Sequence, residues 1–236
     1  MKKELLYQGK AKHVYFTNEP NKLILSYKDQ ATAFNGKKKE IVTGKGRFNN
    51  LISAKIFNYL TKQNIPNHFI KSLNETEQLV EKTTIIPLEV VVRNLATGSI
   101  VKRLGFKEKT VFQPALVELY YKNDALDDPI INDQHAFLLT NTTKEEIELI
   151  KGYALKINQL LRPYFEQIGI QLIDFKLEFG RNQNGEIILA DEISPDTCRF
   201  WDLETEMSLD KDVFRQGTGD LLPVYQEILN RLEEIK

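Results

Sequence analysis

Between residues 172 and 180 the chain reads LIDFKLEFG, in which Asp174, Lys176 and Glu178 alternate with Ile173, Phe175, Leu177 and Phe179. As a β-strand, this period buries one face and gathers an acid, a base and an acid on the other. A second alternating run, EIILADEIS, follows, and the NG at 184–185 between the two is a strong hairpin signal. A two-residue loop sets Glu178 opposite Asp191, and a four-residue loop sets Lys176 there. Both registers keep Asp191 on the face of Asp174, Lys176 and Glu178 and turn Glu192 away. The hard carboxylate oxygens of Glu178 and Asp191 suit Mg²⁺, which keeps waters and shares phosphate oxygens. Such patterns more commonly form a solvated face of cross-strand ion pairs. Dense apolar flanks, and the turn ISPDTCRFWD with Asp196, Arg199 and Asp202 directly after, favour a ligand.

Two further clusters suit phosphate. In GKAKHVY, Lys10 and Lys12 share one face of a strand, and Gly9 lets the backbone approach closely. Alone this is weak, since lysine-rich strand edges are common. In VVVRNLATGSIVKRLG, Arg93 ends an apolar strand and Ser99 opens a short helix, together a phosphate cradle. An arginine capping a neighbouring helix C-terminus is nearly as good a reading. There is no Walker-type or dinucleotide glycine fingerprint. The three histidines, His13, His68 and His135, are scattered without ligand spacing, which argues against zinc. Cys198 has no neighbouring histidine and is a poor nucleophile candidate.

The elements that must position these groups are legible from periodicity. Residues 5–28 predict a hairpin about the turn NEPN, and NGKKKEIVTGKGR predicts a mobile loop. A helix is expected over 48–63, then strands near 67–72, 77–82 and 87–93, and a short helix in ATGSIVKRLGF. Residues 106–141 read as irregular. A long helix should run over 143–168, opened by a Thr143/Glu146 capping box, kinked at Pro163 and stopped by Gly169. A final helix is expected over 220–235. Strands early and helices interleaved late predict an α+β fold: a small N-terminal antiparallel lobe, 1–86, and a larger mixed lobe, 87–236.

The totals narrow the setting. The 236 residues are 42% hydrophobic and 28% charged, with a net charge of -1. That is a globular composition with no global bias toward nucleic acid or a membrane surface. One cysteine excludes an intrachain disulfide, and the N-terminus has no apolar signal core, so a cytoplasmic protein is expected.

Seven runs in order, YQGKAKHVY, KDQATAFNGKKK, PLEVVVRNLATGS, KRLG, DFKLEFG, DEISPDTCRFWD and KDVFRQGTG, span residues 7–219. Together they resemble the SAICAR synthetase family of purine biosynthesis. Phe200 stands where leucine is usual and ATGS replaces AAGS or AGS; neither change removes a charged group. The resemblance implies an ATP-dependent ligase that joins L-aspartate to carboxyaminoimidazole ribonucleotide through an acyl phosphate. It implies a kinase- and ATP-grasp-related fold with the nucleotide in an interlobe cleft, and a homodimer. By matching positions, Lys10, Ala11, Lys12, Val14 and Lys82 would hold ATP, with 77–86 passing the adenine edge. Glu178 and Asp191 would hold Mg²⁺, with Lys176 and Asp174 catalytic. Arg93, Ser99, Asp196, Arg199 and Arg215 would bind the ribonucleotide and other anionic substrate groups. A related ligase or small-molecule kinase, or a non-enzymatic nucleotide-binding regulator, would share only part of this set.

Overall fold

The structure, a computed structural model, describes residues 2–33 and 38–235. It opens with β1 (Leu5–Gln8), β2 (Lys12–Phe16) and β3 (Lys22–Tyr27). The predicted hairpin is its second half; a tight reversal, closed by Gly9 N donating to Lys12 O at 2.8 Å, adds β1. Next come β4 (Gln30–Ala33), β5 (Lys38–Ile41) and α1 (Lys45–Lys62). The segment predicted as a mobile loop over 35–47 therefore carries a strand and the start of a helix. Its residues 35–37 lie outside the described residues. The polar sequence of β5, largely exposed, offers no period to read.

After α1, β6 (Phe69–Ser72) and β7 (Glu77–Glu81) complete an antiparallel sheet of order β1-β2-β3-β7-β6. The chain then runs through β8 (Thr84–Ile85), β9 (Leu88–Leu95), α2 (Ser99–Leu104), β10 (Val111–Tyr121), β11 (Ile130–Ile131), α3 (Asp133–Thr140) and α4 (Lys144–Glu166). It ends with β12 (Ile170–Arg181), β13 (Ile187–Ala190), β14 (Cys198–Asp202), α5 (Asp212–Gln216) and α6 (Leu221–Glu234). The second sheet has the order β11-β10-β9-β12-β13, with β8 and β14 also paired to β12. The fold is mixed α+β with antiparallel sheets, as predicted.

The stretch predicted as irregular, 106–141, instead supplies β10 and α3. Pro114 lies where the pairing of β10 with β9 shifts register, between Val111 and Leu116, and that break hides the strand's period. Helix α4 begins as predicted: Glu146 N donates to Thr143 Oγ1 and Thr143 N to Glu146 Oε2. Gly169, at φ +71, then turns the chain into β12.

Strand β12 organises the molecule. Phe175, Leu177 and Phe179 are at most 2% exposed and pack with Val90, Val92 and α4 residues such as Ile150 and Ile157 in the main core. Each such side chain contributes about 1.5–3 kcal/mol by leaving water. The opposite face of the same strands carries the charges. Arg93 on β9 lies directly opposite Asp174, and Glu118 on β10 opposite Val91, so the polar residues form a grid across three strands. A smaller cluster, Leu23, Leu25, Tyr27 and Val80, serves the first sheet. Helix α1 packs against both β6 and α6.

Candidate active site

The hairpin that carries the acidic groups does not have either predicted register. Glu178 pairs with Ala190, Phe179 with Leu189 and Arg181 with Ile187. A regular continuation would set Asp191 beside Leu177, on the core face. Asp191 instead has φ +59, a left-handed residue directly after β13, and this break in the alternation returns its carboxylate to the charged face. Its Oδ1 accepts from Lys12 Nζ at 2.6 Å, and its Oδ2 lies 3.7 Å from Lys176 Nζ. Glu192, predicted to point away, also joins the group: its Oε1 accepts from Lys12 Nζ at 2.9 Å. With two consecutive residues on one ammonium, strand parity fails here as a guide.

Around these residues the lysines form one cluster. Lys176 donates to Glu178 Oε1 at 2.5 Å and to Glu89 Oε1 at 3.0 Å, and Lys122 donates to Glu178 Oε2. Three ammoniums, Lys12, Lys122 and Lys176, thus meet four carboxylates, Glu89, Glu178, Asp191 and Glu192. Burial alone would lower the Lys176 ammonium's pKa, but Glu178, Glu89 and Asp191 raise it well above its ordinary value. Burial would raise Asp191, yet Lys12, Lys176 and Lys122 hold it well below the usual carboxylate range. The cluster carries one more carboxylate than ammonium.

Toward the other end of the same face, the partners are guanidiniums. Arg93, 3% exposed, donates to Glu118 at 2.6 Å and Asp174 at 2.8 Å, and its Nη2 reaches Ser99 Oγ at 3.2 Å. Arg199 donates to Asp174 Oδ2 and to Asp212 Oδ2, both at 2.8 Å. Arg103 donates to Glu118 at 2.7 Å and Arg215 to Asp212 at 2.5 Å. Four guanidiniums therefore share three carboxylates, Glu118, Asp174 and Asp212. The Gly98 turn before α2 is shaped to this array. At its φ of +62, an added Cβ would stand 2.7 Å from Arg199 Nη2.

A third group joins the two. Lys45, with no exposed surface, donates to Asp196 Oδ2 at 2.5 Å, and Tyr225 OH donates to Oδ1 at 2.6 Å. Lys211 Nζ stands 3.5 Å from the same carboxylate. Burial raises Asp196, but Lys45 and Lys211 pull it below the usual carboxylate range, while burial lowers Lys211 itself.

The site opens on two adjoining cavities of about 390 and 450 Å³, while Lys45, Tyr225, Arg103, Glu118 and Asp212 line neither. Both are lined by Lys10, Ala11, Glu89, Lys176, Asp196 and Lys211. Asp174, Arg93, Arg199 and Arg215 line the first, and Lys12, Val14, Glu178 and Asp191 the second. The apolar part of the second comes from Leu23, Leu25 and Val80 of the first sheet, a shape suited to a planar base. Two predicted residues line neither. Ser99 reaches the site only through Arg93, and Lys82 stands over the Phe16 ring at 5.9 Å. Lys10 donates to Asp124 at 2.7 Å at the rim.

Sequence reading missed Lys45, Lys122 and Lys211, together with Glu89, Glu118 and Asp212. Lys211 and Asp212 lie in KDVFRQGTG beside the noticed Arg215, a signal present but unused. Lys45 and Lys122 lie in segments whose sequence predicts a loop and irregular chain. Burial raises the Cys198 thiol well above its ordinary value, so it stays protonated and is no nucleophile. Among the described residues no helix is long and apolar enough to cross a membrane.

The family model of SAICAR synthetase matches residues 5–232. The phosphoribosylaminoimidazole-succinocarboxamide synthase of Oceanobacillus iheyensis is 64% identical over 234 residues, covering 99% of each chain. The crystal structure of the Ehrlichia chaffeensis synthase superposes with a TM-score of 0.95 at 45% identity, covering 99% of this chain and 100% of that one. A SAICAR synthetase solved in complex with ADP superposes with a TM-score of 0.94 at 49% identity, covering 99% of both chains.

Proposed function

The chain belongs to the SAICAR synthetase family, an ATP-dependent ligase of purine biosynthesis, and from that premise we propose how its two charged regions divide the work. The lysine cluster, with its spare negative charge, takes the nucleotide's phosphates together with Mg²⁺. The arginine array, with its spare positive charge, takes the phosphate monoester of carboxyaminoimidazole ribonucleotide. The observation that carries this reading is the opposite imbalance of charge at the two adjoining cavities.

The donor set fits Mg²⁺. Glu178 and Asp191 offer hard oxygens and no sulfur, and the one imidazole on the cavity wall, His68, is buried. Among the described residues no group of three or more potential ligands forms a closed metal cage. Mg²⁺ binds this way, keeping waters and sharing phosphate oxygens. When bound, it would neutralise charge on the transferring phosphoryl group.

A carboxylate resists attack by an amine because its carbon is electron-rich and oxide is a poor leaving group. A ribonucleotide carboxylate oxygen attacks the γ-phosphorus of ATP, the bond to the β-phosphate oxygen breaks, and ADP leaves as an acyl phosphate forms. The amine of L-aspartate then attacks the carbonyl carbon, the C–N bond forms, and phosphate departs as the amine gives up a proton. The protein's part is alignment and charge neutralisation. Lys10 and Lys12 hold the ATP phosphates, while Ala11 and Val14 border them. Lys176, between the two charged regions, neutralises the reacting carboxylate. Arg93 and Arg199 clamp the ribonucleotide phosphate, fixed from behind by Asp174, Ser99 and Glu118. Arg215 contributes through Asp212, and Asp196, braced by Lys45 and Tyr225, lies where the cavities meet.

In this reading the cavity is an interlobe cleft in a kinase- and ATP-grasp-related architecture, with a nucleotide lobe at 1–86 and a substrate lobe at 87–236. A cytoplasmic homodimer, without nucleic-acid or membrane partners, accompanies it; light scattering of the purified protein checks the assembly. The decisive assay measures ADP release with Mg²⁺. Sustained turnover should require both L-aspartate and the ribonucleotide, and an absence of ADP release with both present would overturn the assignment.

A further inference from the structure

The arginine array draws on two segments joined by a turn. Arg199 comes from β14, whereas Asp212, which accepts its Nε at 2.8 Å, and Arg215, which donates to Asp212, come from α5. Helix α5 spans five residues, and Lys211 at its N-cap makes no side-chain cap. A helix this short has little stability of its own, so contacts outside it must hold it against β14. Part of the join is main chain: Leu209 N donates to Phe200 O at 2.7 Å, pairing the chain on either side of the turn.

The rest is Asp210, a carboxylate with no exposed surface. Its Oδ2 accepts from Phe200 N at 2.9 Å and its Oδ1 from Asp212 N at 2.7 Å. Among the described residues it forms no ion pair. A buried carboxylate without a paired cation is costly to keep. It offers two acceptor oxygens and no donor, which is what two facing N–H groups need; an amide would turn its own NH₂ toward one of them. The backbones it ties are those of the residue after Arg199 and of Asp212, the partner of Arg199. At residue 200 the tie uses main chain alone, and the Phe200 ring is left to pack on Phe165 with centroids 4.6 Å apart.

We propose that Asp210 is a positioning residue for the ribonucleotide: by bonding the backbones of Phe200 and Asp212 together, it holds Arg199 against Asp212 in the arrangement that presents the guanidinium to the phosphate monoester. Without it, α5 shifts on β14 and the guanidinium loses one of the two carboxylates that fix its plane. Asp210 lines neither cavity, so it acts through Arg199 and Asp212. This inference rests on the reading of Arg199 as a ligand of the ribonucleotide phosphate.

Steady-state kinetics of the full-length protein with Mg²⁺ at about pH 8, above the value of about 7 to which burial raises the Asp210 carboxyl, test it. Asp210→Ala should raise the ribonucleotide KM by about 10-fold, the scale of one lost hydrogen bond to a charged group, and leave the ATP KM within about 2-fold of native. In an Arg199→Ala background the same substitution should add less than about 3-fold, because the group it positions is gone. Asp210→Asn keeps the side chain's size and one acceptor oxygen. It should show the same pattern at smaller amplitude, and it carries the comparison should the alanine variant not fold. A native ribonucleotide KM in the folded variant overturns the proposal. So does an equal rise in both KM values, or the full loss repeated without Arg199, either of which would mean that Asp210 serves the fold at large. Arg199→Ala separates the two levels. If its ribonucleotide KM is native, the phosphate reading falls and this proposal with it. If its KM rises while that of Asp210→Ala does not, only the role of Asp210 falls.

Discussion

The lysine cluster and the arginine array meet over one face of the second sheet, with Lys12 reaching in from the first, yet they are built differently. Arg93 and Arg199 are planar forks whose donors are taken up by Glu118, Asp174 and Asp212 at 2.6–2.8 Å. Such pairs have a fixed geometry before any substrate arrives. Lys12, Lys122 and Lys176 are point charges on flexible stems, and Lys122 keeps 41% of its side chain exposed. On the proposed reading, their carboxylates would pass to a metal while the ammoniums pass to phosphates. One region is a mould and the other a set of exchangeable partners. On the proposed division of labour, a ligand that only has to be held would meet the first, and the group that is transferred would meet the second.

The sharpest way to break that contrast is at Glu178. Glu178→Gln should lower kcat on the order of 10²–10³-fold, the scale of losing one preorganised charged group, while the ribonucleotide KM stays close to native. Steady-state assays decide it, and a loss confined to the ribonucleotide KM would reverse the division of labour. Arg93→Ala should do the opposite. It should raise the ribonucleotide KM by an amount equivalent to ~2–4 kcal/mol and, by leaving Asp174 and Glu118 with too little positive charge, cost about 3–5 kcal/mol of stability in urea unfolding. Arg93→Lys should fail to rescue binding, because an ammonium cannot satisfy both carboxylates in the plane of the fork.

Acidity sharpens the comparison with a smaller effect. Asp191 is held below the usual carboxylate range, so its contribution to stability is present above about pH 4 and is lost only as pH falls through its lower folded value. Asp210, beside the arginine array, behaves inversely. Its Oδ2 accepts from Phe200 N at 2.9 Å, and burial followed by the Asp212 charge raises its pKa to about 7. A raised folded value means that stability is greatest below the unfolded value and declines as pH rises from about 4 to about 7. Asp210→Asn should flatten that slope, by up to roughly 1.4 kcal/mol per pH unit, in thermal unfolding followed across the range. An unchanged profile would place the titration elsewhere.

Much of this was readable before any coordinates. The alternation of LIDFKLEFG gave the organising strand and its two faces, and the capping box at Thr143 gave the start of α4. Of the charged residues that the sequence marks in the hairpin and in ISPDTCRFWD, Asp174, Lys176, Glu178, Asp191, Asp196 and Arg199 line the cavities, while Asp202 pairs with Arg231 instead. What could not be read was set by non-local or irregular geometry. Nothing in NG at 184–185 announces that the last pair is Arg181 with Ile187 across a five-residue connection, two residues before NG and one after it, so both expected registers are off by one. Asp191 reached the right face through a left-handed backbone that strand parity does not contain. Strand β10 was hidden by Pro114, and with it Glu118 and Lys122. Lys45 sits in a glycine- and lysine-rich stretch that looks solvated, and only the fold reveals that it is wholly enclosed.

That enclosure makes Lys45 a built-in clock. An amine-acylating reagent will find Lys10 and Lys122 at once, but it reaches Lys45 only when α1 lifts from α6 and the bond to Asp196 opens. The rate at which this one lysine is tagged, followed by peptide mass spectrometry, therefore times a breathing motion of the cavity wall. Filling the cavity with substrate should slow it.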